Sequence, residues 1–408
     1  MNERLARKRR HGSAQLILDA SLGFSLLLAL LLVLGFDRLR PTSAPQEARP
    51  VKVTQTSGEA PPSSGPASRT LNIGVTPAQP EYDDMGSLLH KLGEGYNYHG
   101  FPLEDLGNLA KISEYSTIFL TCSGVADKWV KERLGPADRP NAIQVIVDEK
   151  VMKQVSDNLR TFVGNGGTLY VSDRHFGLVE DAFPELVDRR KVGFGRVQTV
   201  TAEVVDPGLR EVIGPRLSLQ FDQPNWRPAA FAGENVVTYL QGSYQSSGGG
   251  QQTSPLLVKL RYKDGTVIFT SFHNEKVNSE VETKLLRYLV FTAVTAKVDA
   301  QVTNTMVQGG FSPAKKSIFG ASKDQASLPQ TYHCTKQGQL KFVLAFQSGG
   351  ARLKLTVVGP DGQTYTEEGT STVTVDVPQA IPGDWTYTVA ALELPNENFA
   401  YTVTVGQK

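Results

Sequence analysis

Residues 16–36 set the first limit on what this chain can be. The run is apolar except for Asp19, Ser21, Ser25, Gly23 and Gly35, and it contains an unbroken apolar stretch over 26–34. At about 1.5 Å per residue a helix of this length spans roughly 30 Å, the hydrocarbon thickness of a bilayer. Arg4, Arg7, Lys8, Arg9 and Arg10 stand before it, and such a basic excess holds that end in the cytoplasm. The expected organisation is a cytoplasmic basic segment over 1–13, a single-pass signal anchor in the lipid bilayer over 14–36, and the bulk of the chain outside the cell membrane. A cleaved signal peptide would have a shorter apolar core, and Thr42-Ser43-Ala44, which offers a small-x-small site, runs directly into Pro45. His11-Gly12-Ser13 is a poor continuation of a twin-arginine signal, and Asp19 lies close enough to the interface to be tolerated.

Behind the anchor lie residues 37–70, which from Pro41 to Thr70 are almost entirely Pro, Ser, Thr, Ala, Gly and scattered charges, including Pro61-Pro62-Ser63-Ser64-Gly65-Pro66. No apolar face can be drawn on them, so they read as a disordered linker. Over 71–297 short apolar runs alternate with helical patterns, the signature of an α/β domain with a largely parallel sheet. Strands are expected at 71–75, 116–121 and 168–171. A helix is expected near 149–163, where Val151, Met152, Val155, Leu159, Phe162 and Val163 share one face until Asn165-Gly166-Gly167 stops it. Runs at 256–260 and 266–270 flank Lys263-Asp264-Gly265, a hairpin signal, and an amphipathic helix begins near Ser279 with Val281, Leu285, Leu286 and Leu289 inward. The polar stretch 298–327 reads as a second linker. From 328 to 408 strand-like runs are separated by turns such as Pro360-Asp361-Gly362 and Pro382-Gly383-Asp384, which implies a small antiparallel β-sandwich. The fold class expected is thus α/β, flavodoxin-like, between a transmembrane helix and a sandwich.

Composition removes several classes. The chain of 408 residues carries 42 Lys+Arg against 41 Asp+Glu, so it has no broad basic field and no nucleic-acid partner is expected. Two cysteines, Cys122 and Cys334, are too few for a disulfide scaffold or a cysteine-built zinc site, although a bridge between them would join the two folded regions. Gly248-Gly249-Gly250 lacks the Lys-Ser/Thr of a phosphate loop. Asp361 and Asp384 are explained by turn chemistry and do not gather the six to eight oxygens that calcium takes. No cofactor is expected.

Two stretches of the chain resemble known families. The segment Tyr115-Ser116-Thr117-Ile118-Phe119-Leu120-Thr121-Cys122-Ser123-Gly124, then Leu159-Arg160-Thr161-Phe162-Val163, then Gly166-Gly167-Thr168-Leu169-Tyr170-Val171-Ser172-Asp173, resembles the class I glutamine amidotransferase-like superfamily, closest to its trehalose-utilisation-like branch. The later Phe272-His273-Asn274-Glu275 resembles that family's Phe-His-x-Glu. The C-terminal region, with Val358-Gly359-Pro360-Asp361-Gly362 and Ile381-Pro382-Gly383-Asp384-Trp385-Thr386, is similar to bacterial pre-peptidase C-terminal-type sandwiches, which are extracytoplasmic accessory modules.

Active members of the superfamily carry a nucleophilic cysteine on a sharp strand-to-helix elbow, activated by the His and Glu of Phe-His-x-Glu. Here Ser172 or Asp173 holds that position, and no glycine flanks it closely enough to permit the elbow. One reading is a degenerate, non-catalytic domain in which His273 and Glu275 are structural remnants. A second is a serine hydrolase with Ser172 as nucleophile, His273 as base and Glu275 orienting it. A third makes Cys122 the nucleophile, against the plainer reading of a small buried thiol. Asp173, His175 and His273 also converge on the strand ends as candidate metal ligands. His90 and His99 read as surface or satisfied histidines, and His333 beside Cys334 as a chance neighbour in place of a soft-metal pair. The whole describes a bacterial-type envelope protein that binds or scaffolds a protein or carbohydrate partner, with an envelope hydrolase as the alternative.

Overall fold

The computed structural model describes residues 71–77, 83–122, 126–134, 144–273, 279–347 and 349–408. The basic segment, the anchor, the linker over 37–70 and Glu275 lie outside the described residues. Among the described residues no helix is long and apolar enough to cross a membrane.

The α/β domain is built on strands β1 (Ile73–Val75), β2 (Tyr98–Gly100) and β3 (Thr117–Leu120), with helices α1 (Met85–Leu92) and α2 (Leu109–Ile112) between them. A separate small unit holds an antiparallel hairpin of β4 (Val130–Leu134) and β5 (Gln144–Val147). Helix α3 (Glu149–Gly164), strand β6 (Thr168–Ser172) and helix α4 (Phe176–Ala182) follow. Next come β7 (Gln198–Val204), α5 (Pro207–Ile213), β8 (Arg216–Phe221), β9 (Val236–Gln245), β10 (Gln251–Tyr262) and β11 (Gly265–Thr270), and the long helix α6 (Glu280–Gln308) closes the domain.

Nine of these strands form one sheet in the order β2-β1-β3-β6-β11-β10-β9-β7-β8. The first five pair in parallel, as the sequence implies. The remaining ladders are antiparallel, so the sheet is mixed where the sequence suggested a largely parallel one. The difference has a local cause. Strands β7 and β8 alternate polar and apolar residues, as strands with one wetted face do, and carry no continuous apolar run.

Helix α3 forms where the sequence places it, with Val155, Leu159, Phe162 and Val163 buried. It ends through main-chain bonds from Gly166 N to Val163 O (2.9 Å) and from Gly167 N to Phe162 O (3.0 Å), with Gly166 at φ 92°. Gly265, the third residue of the Lys263-Asp264-Gly265 turn, must stay bare. A Cβ there would lie 1.9 Å from Val163 O and 2.5 Å from Gly167 O, so only glycine lets β11 start against the end of α3.

Ser279 caps α6 by accepting from Glu282 N (3.1 Å) while its hydroxyl donates to the Glu282 carboxylate (2.9 Å). Leu285, Leu286, Leu289 and Val290 in the first part of α6 lie in the sheet's core. Val302 and Met306 in its last part pack with Val343 and Ala345 of the sandwich.

The expected linker over 298–327 is therefore not one: α6 continues to Gln308, and β12 (Ser312–Ala321) is the first sandwich strand. Its polar Lys315, Lys316 and Ser317 hide it from a reading by hydropathy, yet Ser317 is buried opposite Val403. Strands β13 (Gln330–Cys334), β14 (Gly338–Phe346), β15 (Arg352–Val358), β16 (Thr364–Gly369), β17 (Val373–Ala380), β18 (Gly383–Glu393) and β19 (Phe399–Gln407) complete two four-stranded sheets, β12-β19-β14-β17 and β13-β18-β15-β16. Leu353, Leu355 and Val357 of β15 point into the core at every second position, as an antiparallel strand with one dry face requires.

A buried ion cluster joins the two domains. Lys259 Nζ on β10 lies 3.4 Å from Asp299 Oδ2 on α6, and Lys316 Nζ on β12 lies 2.5 Å from Asp299 Oδ1. Cys122 and Cys334 are both free and buried, one at the edge of the large sheet and one in the sandwich core, so no bridge joins them.

Candidate functional site

The register of the parallel strands assembles the site. Leu120 pairs with Val171 and Ser172 with Thr270, so β3, β6 and β11 end at one edge of the sheet. Cys122 is two residues beyond β3, Asp173 directly follows β6, and His273 is three residues beyond β11. Strand β2 lies on one side of β1 and β3 on the other, so the chain reverses direction across the sheet beside this edge, where open α/β sheets bind ligands.

Asp173 stands at φ 38°, in the left-handed region that few non-glycine residues enter, and leads into a 3-10 turn over Asp173–His175 and then α4. The sharp elbow thus exists without a flanking glycine, which corrects the sequence expectation. An aspartate tolerates that conformation better than most residues, and its carboxylate is tied down on both sides. Oδ1 accepts from Arg227 N at 2.6 Å, and Oδ2 lies 3.0 Å from His273 Nε2.

Cys122, Asp173 and His273 offer donor atoms that all lie within 4.8 Å of one another, and these residues could hold a metal ion. Cys122 and Asp173 are buried, whereas His273 keeps 13% of its side chain exposed. Burial works against the charged form of His273, but hydrogen bonds to Asp173 and Cys122 and the charges of Asp173 and Asp83 outweigh it and hold the imidazole well above its usual range. Burial pushes the Cys122 thiol up, against a hydrogen bond to His273 that pulls it down. Both directions favour an imidazolium–carboxylate pair beside a protonated thiol. A thiol attacks as its thiolate, so this one is held back at neutral pH.

Ser172 is fully buried, and its hydroxyl donates to the Asp83 carboxylate. The single hydroxyl proton goes to Asp83, while His273 faces Asp173. His175 is buried and bonded to the Thr121 main chain; burial pulls its pKa down to about 4, so it is a neutral imidazole. Of the residues the sequence singles out here, Asp173 and His273 come together, and Cys122 joins them. His90 and His99 are exposed, the latter in β2, and exposed His333 pairs with Asp384 at 2.7 Å.

Two participants carry no sequence signal. Asp83 accepts from Cys122 N at 2.7 Å as well as from Ser172. Arg227 lies with its guanidinium 4.5 Å from the Phe176 ring centre and 4.6 Å from that of Phe194, and 3.6 Å from Glu180 Oε2. Neither residue sits in a motif; only the closed fold brings them to the strand ends.

The His273 pair has a sign that can be measured. A folded pKa raised above the ordinary 6.5 gives stability that is fully present below about pH 6.5 and lost as pH rises through the folded value. An NMR titration of the chelator-treated protein is expected to place His273 above 6.5, and Asp173→Asn to shift its midpoint down; an unmoved midpoint would show that the Asp173 contact does not set it.

No protein-family model matches the chain, and no curated protein matches it in sequence. Among solved structures it is similar to a cytoplasmic protein of Salmonella typhimurium LT2, at 13% identity over 57% of this chain and 99% of that one, with a TM-score of 0.32. It is also similar to a glutamine amidotransferase of Thermotoga maritima, at 10% identity over 59% of this chain and 94% of that one, with a TM-score of 0.30. A shorter likeness, 23% of this chain and 99% of the other at 15% identity and a TM-score of 0.15, is to the C-terminal domain of a structural protein of Sulfolobus turreted icosahedral virus.

Proposed function

We propose that this chain is a membrane-anchored, extracytoplasmic binding or scaffold protein whose α/β domain keeps a glutamine amidotransferase-like frame without its thiol chemistry. The observation that carries the non-catalytic part is Asp173 at the elbow. The resemblance expects a cysteine nucleophile there; a carboxylate that accepts from Arg227 N and is paired with His273 is a poor attacker of an amide, and the imidazolium it holds has no free lone pair to act as base. In the competing hydrolase reading Ser172 would need to give its proton to His273, but that proton goes to Asp83.

The anchored placement rests on the apolar run over 16–36 and the basic residues before it. The partners in this reading are the lipid bilayer, through residues 14–36, and an envelope protein or carbohydrate held by the folded part. Expression of the full chain in bacteria, fractionation, and protease treatment of spheroplasts test the placement. The chain is expected in the membrane fraction with its C-terminal region digested from outside; a soluble or fully protected chain overturns it. For the chemistry, the purified chain is expected to release no ammonia from glutamine, and release that Asp173→Asn or His273→Gln abolishes would overturn the non-catalytic reading.

A further inference from the structure

We propose that Cys122, Asp173 and His273 form a three-ligand site for a divalent transition metal of the zinc type. The set offers a thiol, a carboxylate and an imidazole from the ends of three neighbouring parallel strands, with the donor atoms within 4.8 Å of one another. A tetrahedral centre with a metal–sulfur bond of about 2.3 Å and metal–nitrogen or metal–oxygen bonds of about 2.0–2.1 Å separates its donors by roughly 3.3–3.6 Å, so inward side-chain shifts of about 1 Å close the set. Sulfur and imidazole nitrogen suit zinc or cobalt; calcium and magnesium seek oxygen.

The surroundings are those of an oriented ligand set. Asp173 Oδ1 is occupied by Arg227 N at 2.6 Å, which leaves Oδ2 on the His273 side. Cys122 N donates to Asp83 Oδ2 at 2.7 Å, which fixes the main chain beside the sulfur. Outer contacts of this kind aim and tune metal ligands. Binding releases the thiol proton and the proton between His273 and Asp173; the sulfur and Nε2 then donate their lone pairs, and thiolate and carboxylate balance the ion's double charge. Three protein ligands leave one position open, as in zinc sites that hold a water or substrate. The proposal stands apart from the scaffold reading, because a bound ion can tie the strand ends together whether or not any substrate is turned over.

The test uses the full chain, solubilised in detergent, stripped with chelator and titrated with Co²⁺ and then Zn²⁺. Stoichiometric cobalt uptake with a thiolate-to-cobalt charge-transfer band is expected, with zinc displacing the cobalt. Bound zinc is expected to slow alkylation of Cys122, and chelator to restore it. Cys122→Ser removes the band, Asp173→Asn and His273→Gln each weaken zinc binding by more than about 100-fold, and Asp83→Asn weakens it by about 10–100-fold. His333→Gln, at the exposed pair with Asp384, changes nothing. Where a variant fails to fold, the alkylation of the wild-type chain decides. Absence of stoichiometric uptake by the folded wild-type chain, zinc that leaves the alkylation rate unchanged, or a band that survives Cys122→Ser overturns the site.

Discussion

Replacing Asp299 with alanine is expected to cost about 3–5 kcal/mol, because it removes the carboxylate between Lys259 and Lys316 and leaves one buried and one half-buried ammonium group without it. Burial opposes the charge on Asp299, yet the two lysines outweigh it and hold the carboxyl below its ordinary 3.8. Neither lysine has room to withdraw freely: the Lys259 side chain is 8% exposed and that of Lys316 27%. The check is a urea unfolding curve of the Asp299→Ala variant beside a triple variant, Lys259→Met with Asp299→Leu and Lys316→Met. If the loss comes from stranded charge, the triple variant recovers most of it, since an apolar replacement of similar volume needs no counter-charge. Equal loss in both would mean that the cluster contributes through its geometry and not through charge balance.

Trp226→Ala is expected to cost about 3–5 kcal/mol, the range for emptying a large aromatic site. Trp226 is almost fully buried, stacks on Phe221 with ring centres 3.9 Å apart, lies 4.7 Å from the Tyr244 ring and donates from Nε1 to Arg196 O at 2.7 Å. Gly195 is the floor of this slot, since a Cβ there would meet the indole at 1.9 Å. The next residue, Arg227, gives its main-chain N–H to Asp173, so the slot also sets the register of the strand-end cluster. Thermal unfolding measures the first effect, and the His273 NMR midpoint reports the second. A destabilised protein whose His273 still titrates as in the wild type would separate the slot from the site.

The parts of the fold that the sequence shows are those whose burial is uniform. Strand β6 and helix α3 are legible because Leu169, Tyr170 and Val171 form an unbroken apolar run and Val155, Leu159 and Phe162 keep helical spacing. Strand β12 is illegible because its burial is settled by distant partners: Ser317 is covered by bonding to Tyr387 and Lys316 by Asp299, and neither partner is near in sequence. The candidate site divides in the same way. His273 and Asp173 stand in motifs at strand ends, whereas Asp83 and Arg227 reach them only through tertiary closure. Cys122, which the sequence reads as a plain buried thiol, is indeed buried, but it lies beside an imidazole. The stop of α3 at Gly166-Gly167 is legible, whereas the end of α6 and the elbow are not: α6 runs on through a polar stretch, and Asp173 enters left-handed backbone by means of carboxylate bonds where glycine would enter by lack of a side chain.

Helix α6 carries one further consequence. Its first half is part of the sheet's core and its last turns are part of the sandwich, with no break between. A load applied to the sandwich is therefore passed toward the sheet along one uninterrupted helix, with no loop between to take up the strain. A pull at Lys408, which directly follows β19, reaches the core of the sheet through one helix and no intervening loop.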